Sequence, residues 1–243
     1  MLFRSLSNIK HTKPPKYTKP TQHTQPKKLL INIHTHTQRD NGHFSLLNLE
    51  HPGDDLHPMF QYSVGIHPWH VHEKSLESDM QQLRLNAVKK NVLAIGECGL
   101  DKLHHDNYRA QEKAFSLQIA LANQVSKPLI IHCVRSFREV LAMLHENNNI
   151  MPFVFHGFNN KQESAQMVLD AGGYLSFGKS LFNPSMEQTF ANIPADRLFL
   201  ETDDSEHGIE EIYRQAAKIR QSTTDQINSS IKKNLLTVFN IRL

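Results

Sequence analysis

The chain predicts a parallel α/β barrel, a trimmed (β/α)8 fold of the TIM type, on three observations. From residue 29 onward short apolar runs alternate with stretches of helical spacing. Five of those runs stop at or just before a histidine, glutamate or aspartate, which is how such barrels place reactive groups at their strand ends. The 243 residues suit one domain of this size.

Taken in order, residues 29–33, 44–49 and 62–66 read as strands. Residues 76–91 show helical spacing through Leu76, Met80, Leu83 and Ala87 and lead into a strand at 92–95. A helix over 108–124, with Phe115, Ile119 and Ala122 on one face, ends at a strand over 128–131. Residues 136–146 precede a strand at 152–155. A helix over 161–171 stops at Gly172-Gly173, whose conformational freedom ends helices, before a strand at 174–177. A short helix over 186–191 precedes a strand at 198–200, and helices over 209–221 and 224–238 close the chain. The stretch between His36 and Phe44 is too short for a helix. Either the first crossover helix is missing or 44–49 is not a parallel strand.

Charge separates an extension from the barrel. Residues 1–28 carry Arg4, Lys10, Lys13, Lys16, Lys19, Lys27 and Lys28 and no acid. Removing those seven from the 27 basic residues leaves 20 against 24 acids, so 29–243 carries −4 and is not a basic nucleic-acid-binding surface. The extension, rich in Pro, Lys and Thr, is expected to be disordered, and a weak electrostatic tether to nucleic acid is its functional reading. No stretch approaches the roughly 18 apolar residues of a membrane span. Cys98 and Cys133 each follow a candidate ligand, and strand alternation turns them into the wall as small buried groups. Unpaired thiols suit a reducing cytoplasm.

The chemistry rests on His34, His36, Glu97, His132, His156 and Asp203. Two histidines at i and i+2 on a strand share a face and reach one ion. Imidazole and carboxylate together suit divalent metals, and four histidines with two carboxylates suffice for two ions. Two ions about 3.5–4 Å apart clamp a phosphodiester and its attacking water. Asp203 is the candidate to take that water's proton, with Glu97 as the other catalytic carboxylate.

These segments resemble the successive motifs of the TatD family of metal-dependent deoxyribonucleases. They are Ile-Asn-Ile-His-Thr-His ending at His36, Val-Gly-Ile-His-Pro around His67, Gly-Glu-Cys-Gly-Leu-Asp over 96–101, Ile-Ile-His-Cys-Val-Arg ending at Arg135, Phe-His-Gly-Phe around His156, Tyr-Leu-Ser-Phe-Gly ending at Gly178 and Leu-Glu-Thr-Asp ending at Asp203. The glutamate motif followed by Gln111, Phe115 and Gln118 is the most specific. The resemblance spans about residues 29–238. It implies an amidohydrolase-like barrel and hydrolysis of DNA, and possibly RNA, in the 3′→5′ direction. The reaction would use water activated by magnesium, manganese or zinc, with the six residues above as metal ligands. Three features depart from the family: Asn32 stands where an acid usually precedes the histidine pair, Asp204-Ser-Glu-His follows the last motif, and the chain is short.

Around this centre, His67, Trp69, Arg135 and Lys102 are expected to meet substrate. His67 would hold a phosphate or a water, Trp69 would stack on a base, and the two cations would face phosphates. His70, His104 and His105 lie on the same rim, and Glu201 shares a face with Asp203 to orient a ligand histidine. Asp204 competes with Asp203 for the ligand role, while Lys161, Lys179 and Arg197 read as solvated charges. Amide or ester hydrolysis on the same barrel is the alternative reaction, and a metal-binding protein without catalysis is the third reading. An amide substrate favours an apolar pocket; a phosphate favours inward-facing Arg135 and Lys102.

Overall fold

Short runs of Ile, Val, Leu and Phe can be buried on both faces only in a parallel sheet sheathed by helices. They form that sheet here. In the computed structural model, which describes residues 28–37, 42–49 and 51–243, eight parallel strands lie in chain order. They are β1 (Ile31–Thr35), β2 (Phe44–Asn48), β3 (Gln61–Val64), β4 (Val92–Asp101), β5 (Leu129–Val134), β6 (Phe153–Phe155), β7 (Tyr174–Phe177) and β8 (Leu198–Leu200). Seven helices are described: α1 (Leu76–Ala87), α2 (Tyr108–Val125), α3 (Phe137–Glu146), α4 (Gln162–Asp170), α5 (Glu187–Asn192), α6 (Ile209–Ile219) and α7 (Thr224–Phe239). The expected elements are all present, with ends shifted by a few residues. The basic extension lies outside the described residues apart from Lys28. Among those described, no helix is long and apolar enough to cross a membrane.

The ambiguity after His36 is resolved: β2 is parallel to β1, and no helix is described between them. The next connection, from β2 to β3, also lacks a helix. The last two helices cover β1 instead. Tyr213 of α6 is fully buried; its hydroxyl accepts from Ile31 N–H at 3.2 Å and donates to Ile31 C=O at 3.0 Å. Asn228 of α7 donates to Leu29 C=O at 3.0 Å.

These contacts matter because β8 and β1 meet through a single described bridge, Thr35 with Asp203. Side chains finish the seam. Asn32 accepts from Thr202 N–H at 2.9 Å and donates to Thr202 Oγ1 at 2.8 Å, and Thr202 Oγ1 donates to Thr35 Oγ1 at 3.0 Å. An amide both gives and accepts here, which accounts physically for asparagine at position 32.

Candidate metal centre

The candidate side chains converge at the C-terminal ends of the strands, the face on which barrels of this kind carry their sites. His34 lies in β1 and His36 just beyond it, on one face. Asp203 follows β8 in a left-handed conformation, φ 51°, and its N–H donates to His34 C=O at 3.0 Å. His132 lies within β5, and His156 directly follows β6.

Glu97 arrives differently from expectation. The apolar run ends at Ile95, but β4 continues to Asp101, so Glu97 sits mid-strand. Ile95 pairs with Leu129 and Cys98 with Ile131, three steps on β4 against two on β5. The extra residue makes a bulge, which re-aims a side chain. Continuation past the bulge requires Gly99: its φ is 135°, and a Cβ there would lie 2.1 Å from His132 O. Asn48 of β2 fixes the bulge by accepting from Glu97 N–H at 2.9 Å and from Ser63 Oγ at 3.2 Å.

The two oxygens of Glu97 face two different sets of donors. Oε2 lies 3.4 Å from His34 Nε2 and 3.6 Å from His36 Nε2, while Asp203 Oδ1 lies 3.5 and 3.4 Å from the same nitrogens. Oε1 lies 2.8 Å from both His132 Nδ1 and His156 Nε2. Donors held about 2.1 Å from an ion at the tetrahedral angle stand about 3.4 Å apart. The first set has that spacing, too long for a good hydrogen bond. Both ring nitrogens of the fully buried His34 lack a hydrogen-bond partner, a rare condition for buried polar atoms.

Electrostatics agree. Both nitrogens of His132 face carboxylates, Nδ1 toward Glu97 and Nε2 toward Asp101 Oδ2 at 3.2 Å. A neutral imidazole has one N–H, so the other nitrogen needs a proton or a metal. Burial works against the charged form of His34, His132 and His156. The nearby carboxylates outweigh it and raise all three: Asp203 and Glu97 at His34, Asp101 and Glu97 at His132, Glu97 and Glu201 at His156. The carboxylates of Asp203 and then Glu97 beside it raise His36 to about 10. Glu97 and Asp203 are depressed well below the usual range although burial opposes it. Four clustered imidazoles with such proton affinity offer the same lone pairs to a divalent cation, so the residues fit a metal.

His67 behaves otherwise. Its Nδ1 accepts from Trp69 N–H at 3.1 Å, so the proton sits on Nε2, 3.1 Å from Glu97 Oε1. Burial lowers its basicity. With Glu97 and His132 it also forms a cluster whose donor atoms lie close enough together to hold an ion.

Other expectations separate. Trp69 is half-exposed on the rim, and Nε1 donates to Asp101 Oδ2 at 2.7 Å. His70 borders the same cavity of about 490 Å³. Lys102 does not face the site: it is paired with Glu139 of α3. Arg135 is exposed at φ 55°, with no ion pair among the described residues. Lys179, read as solvated, instead pairs with Asp204 at 2.5 Å and lines a second cavity of about 350 Å³ beside His156. Asp203 rather than Asp204 lies against the histidine pair, while Asp204 also lines the cavity of about 490 Å³. Glu201 is fully buried, 3.6 Å from His156 Nδ1, and accepts from Gly157 N–H at 2.5 Å. Cys98 is buried in the wall, but Cys133 is partly exposed and lines the second cavity; burial pushes its thiol up to about 12.

A family profile of TatD-related DNases matches residues 47–240. The chain belongs to that family. Among similar TatD-related proteins is the 3′-5′ ssDNA/RNA exonuclease TatD of Pantoea ananatis, 36% identical over 149 residues, 58% of this chain and 56% of the relative. The uncharacterized metal-dependent hydrolase YcfH of Escherichia coli K12 is 31% identical over 147 residues, 58% of this chain and 54% of the relative. The chain thus aligns with just over half the length of these curated relatives. In fold it resembles YjjV, a TatD homologue from Escherichia coli K12, with a TM-score of 0.75, 19% identity, and coverage of 87% of this chain and 98% of that one.

The TatD-type motif residues on α2 have roles that spacing alone did not reveal. Gln118 Oε1 accepts from Ile66 N–H at 2.7 Å and Nε2 donates to Ile66 C=O at 3.2 Å, pinning the backbone beside His67. Gln111 Oε1 accepts from Asp101 N–H at 2.8 Å, while Nε2 donates to His104 C=O at 2.7 Å. Asn48 was also missed; the available signal was a polar residue at the end of β2 between Leu47 and Leu49.

Proposed function

We propose that the chain is a divalent-metal-dependent nuclease that hydrolyses phosphodiester bonds of single-stranded DNA, and possibly RNA, from the 3′ end. The observation that carries this reading is the division of Glu97, one oxygen toward His34, His36 and Asp203 and the other toward His132 and His156. These six residues would hold two ions, with Glu97 between them. When bound, magnesium, manganese or zinc would neutralise the phosphate, acidify the attacking water and offset charge in the transition state.

The chain's own residues do the rest. Asp203, with Oδ1 against the histidine pair, keeps Oδ2 to accept the proton from water as its oxygen attacks phosphorus. The ester bond to the leaving sugar oxygen breaks, giving a phosphomonoester and a free hydroxyl. His67, protonated at Nε2, donates to a phosphate oxygen, and Trp69 offers a ring to a base. Free thiols support a reducing compartment such as the cytoplasm.

Lys102 on Glu139 favours the second reading, amide or ester hydrolysis, because it removes one expected phosphate contact. Asn159, Ser180 and Asn183 around the second cavity are polar groups able to meet a phosphate and favour the first. Degradation of 3′- and 5′-labelled single-stranded DNA by metal-stripped protein, with each metal restored separately, decides between them. Metal-dependent shortening from the 3′ end that Asp203→Asn lacks supports the nuclease. No cleavage with any metal, with ions still bound, overturns it in favour of an amide or ester.

A further inference from the structure

We infer that Asp101 is a positioning residue that couples the rim tryptophan to the metal centre. The inference deepens the nuclease reading and rests on it for the identity of the substrate. One atom, Asp101 Oδ2, accepts from Trp69 Nε1 at 2.7 Å and faces His132 Nε2 at 3.2 Å. The other oxygen, Oδ1, accepts from Leu103 N–H at 2.8 Å, and Gln111 holds the Asp101 backbone from α2. The carboxylate is almost fully buried, so both of its oxygens are committed and neither is hydrated.

Strand register produces this arrangement. Gly99 pairs with His132 and Asp101 with Val134. Gly99 lets the two backbones approach closely, since a Cβ there would lie 2.1 Å from His132 O, and the imidazole of His132 reaches Asp101 from the paired strand. The proton on His132 Nε2 is thereby fixed toward Asp101, leaving Nδ1 with its lone pair aimed at the Glu97 side. A ligand histidine whose second nitrogen is held by a carboxylate is a better and better-oriented donor. Here the same carboxylate also sets the rotamer of the ring on which a base would stack. Trp69 lies edge-on to His67 and His132, 4.9 and 5.8 Å between centroids, and 4.7 Å from His104, so its position bears on three imidazoles. Occupation of the rim and occupation of the His132 side of the centre therefore favour one another.

Trp69 is the only tryptophan in the chain, which makes the test direct. Metal-stripped protein is titrated with manganese or zinc alone, following Trp69 emission and, in parallel, heat of binding. In the wild type Trp69 emission should change with the ion that His132 holds. Asp101→Asn should weaken one ion about 10- to 100-fold, leave the other within about threefold, and uncouple Trp69 emission from metal. Trp69→Phe, a rim change that keeps an aromatic ring and spares the buried carboxylate, should weaken the same ion by about three- to tenfold. The double variant should lose less affinity than the sum of the two single losses, since the Trp69 Nε1 contact acts through Asp101. Metal affinity unchanged in Asp101→Asn, or additive losses in the double variant, overturns the coupling. These readouts need no nucleic acid. Failure of the nuclease reading would appear separately, as intact coupling in a wild type that cleaves no DNA.

Discussion

Tyr213→Phe tests how the barrel is held shut where β8 and β1 share only one bridge. The change removes one oxygen and leaves the ring. It orphans two backbone groups, Ile31 N–H and C=O, which the hydroxyl meets at 3.2 and 3.0 Å in a fully buried setting. Leaving a buried polar group unsatisfied costs about 1–3 kcal/mol, and removal of the desolvated hydroxyl returns part of that. We therefore expect a net loss of about 2–3 kcal/mol. For a chain of this length that lowers Tm by roughly 5–10 °C. Urea unfolding of both proteins, stripped of metal and followed by circular dichroism, measures the difference. Because Asp203 N–H donates to His34 C=O across the same seam, metal affinity should fall as well. A stability change below about 0.5 kcal/mol would refute the reasoning, since the seam would then close without the tyrosine.

Other consequences follow from the same geometry. Asp203→Asn should abolish turnover with the fold intact, checked by circular dichroism beside the DNA assay; normal activity removes Asp203 from the mechanism. Asn48→Ala takes away the acceptor for Glu97 N–H and should weaken metal binding about 10-fold or more by calorimetry, without loss of the folded state. His36 has its basicity raised to about 10, so its charged form stabilises the metal-free fold fully below about pH 6.5, and that contribution is lost as pH rises toward 10. A metal must displace that proton. Apparent metal affinity should therefore climb with pH across this window, and a flat profile would place His36 outside the donor set.

The barrel was legible because eight buried strands and their helices leave two different periods in the sequence, and because ligands cluster where apolar runs stop. His34, His36, His132, His156 and Asp203 were singled out that way, and the structure brings them together. Glu97 was found by type and motif but not by place. The apolar run stops at Ile95, whereas β4 runs on to Asp101 against β5 through a bulge. Long cations were the least legible: Lys102 and Lys179 chose their partners, Glu139 and Asp204, on elements far along the chain. Asn48, Gln111 and Gln118 were missed as positioning residues for a related reason. Each holds backbone groups, and backbone hydrogen bonding carries no side-chain pattern to read.

The division of Glu97 between two donor sets is tested most directly by metal content. Metal-stripped protein is reconstituted with manganese or zinc, desalted, and assayed for bound ions per chain, with Glu97→Gln in parallel. Two ions per chain are expected in the wild type, and weakened binding of both in the variant. One ion in the wild type, or two retained without loss of affinity in Glu97→Gln, would contradict it.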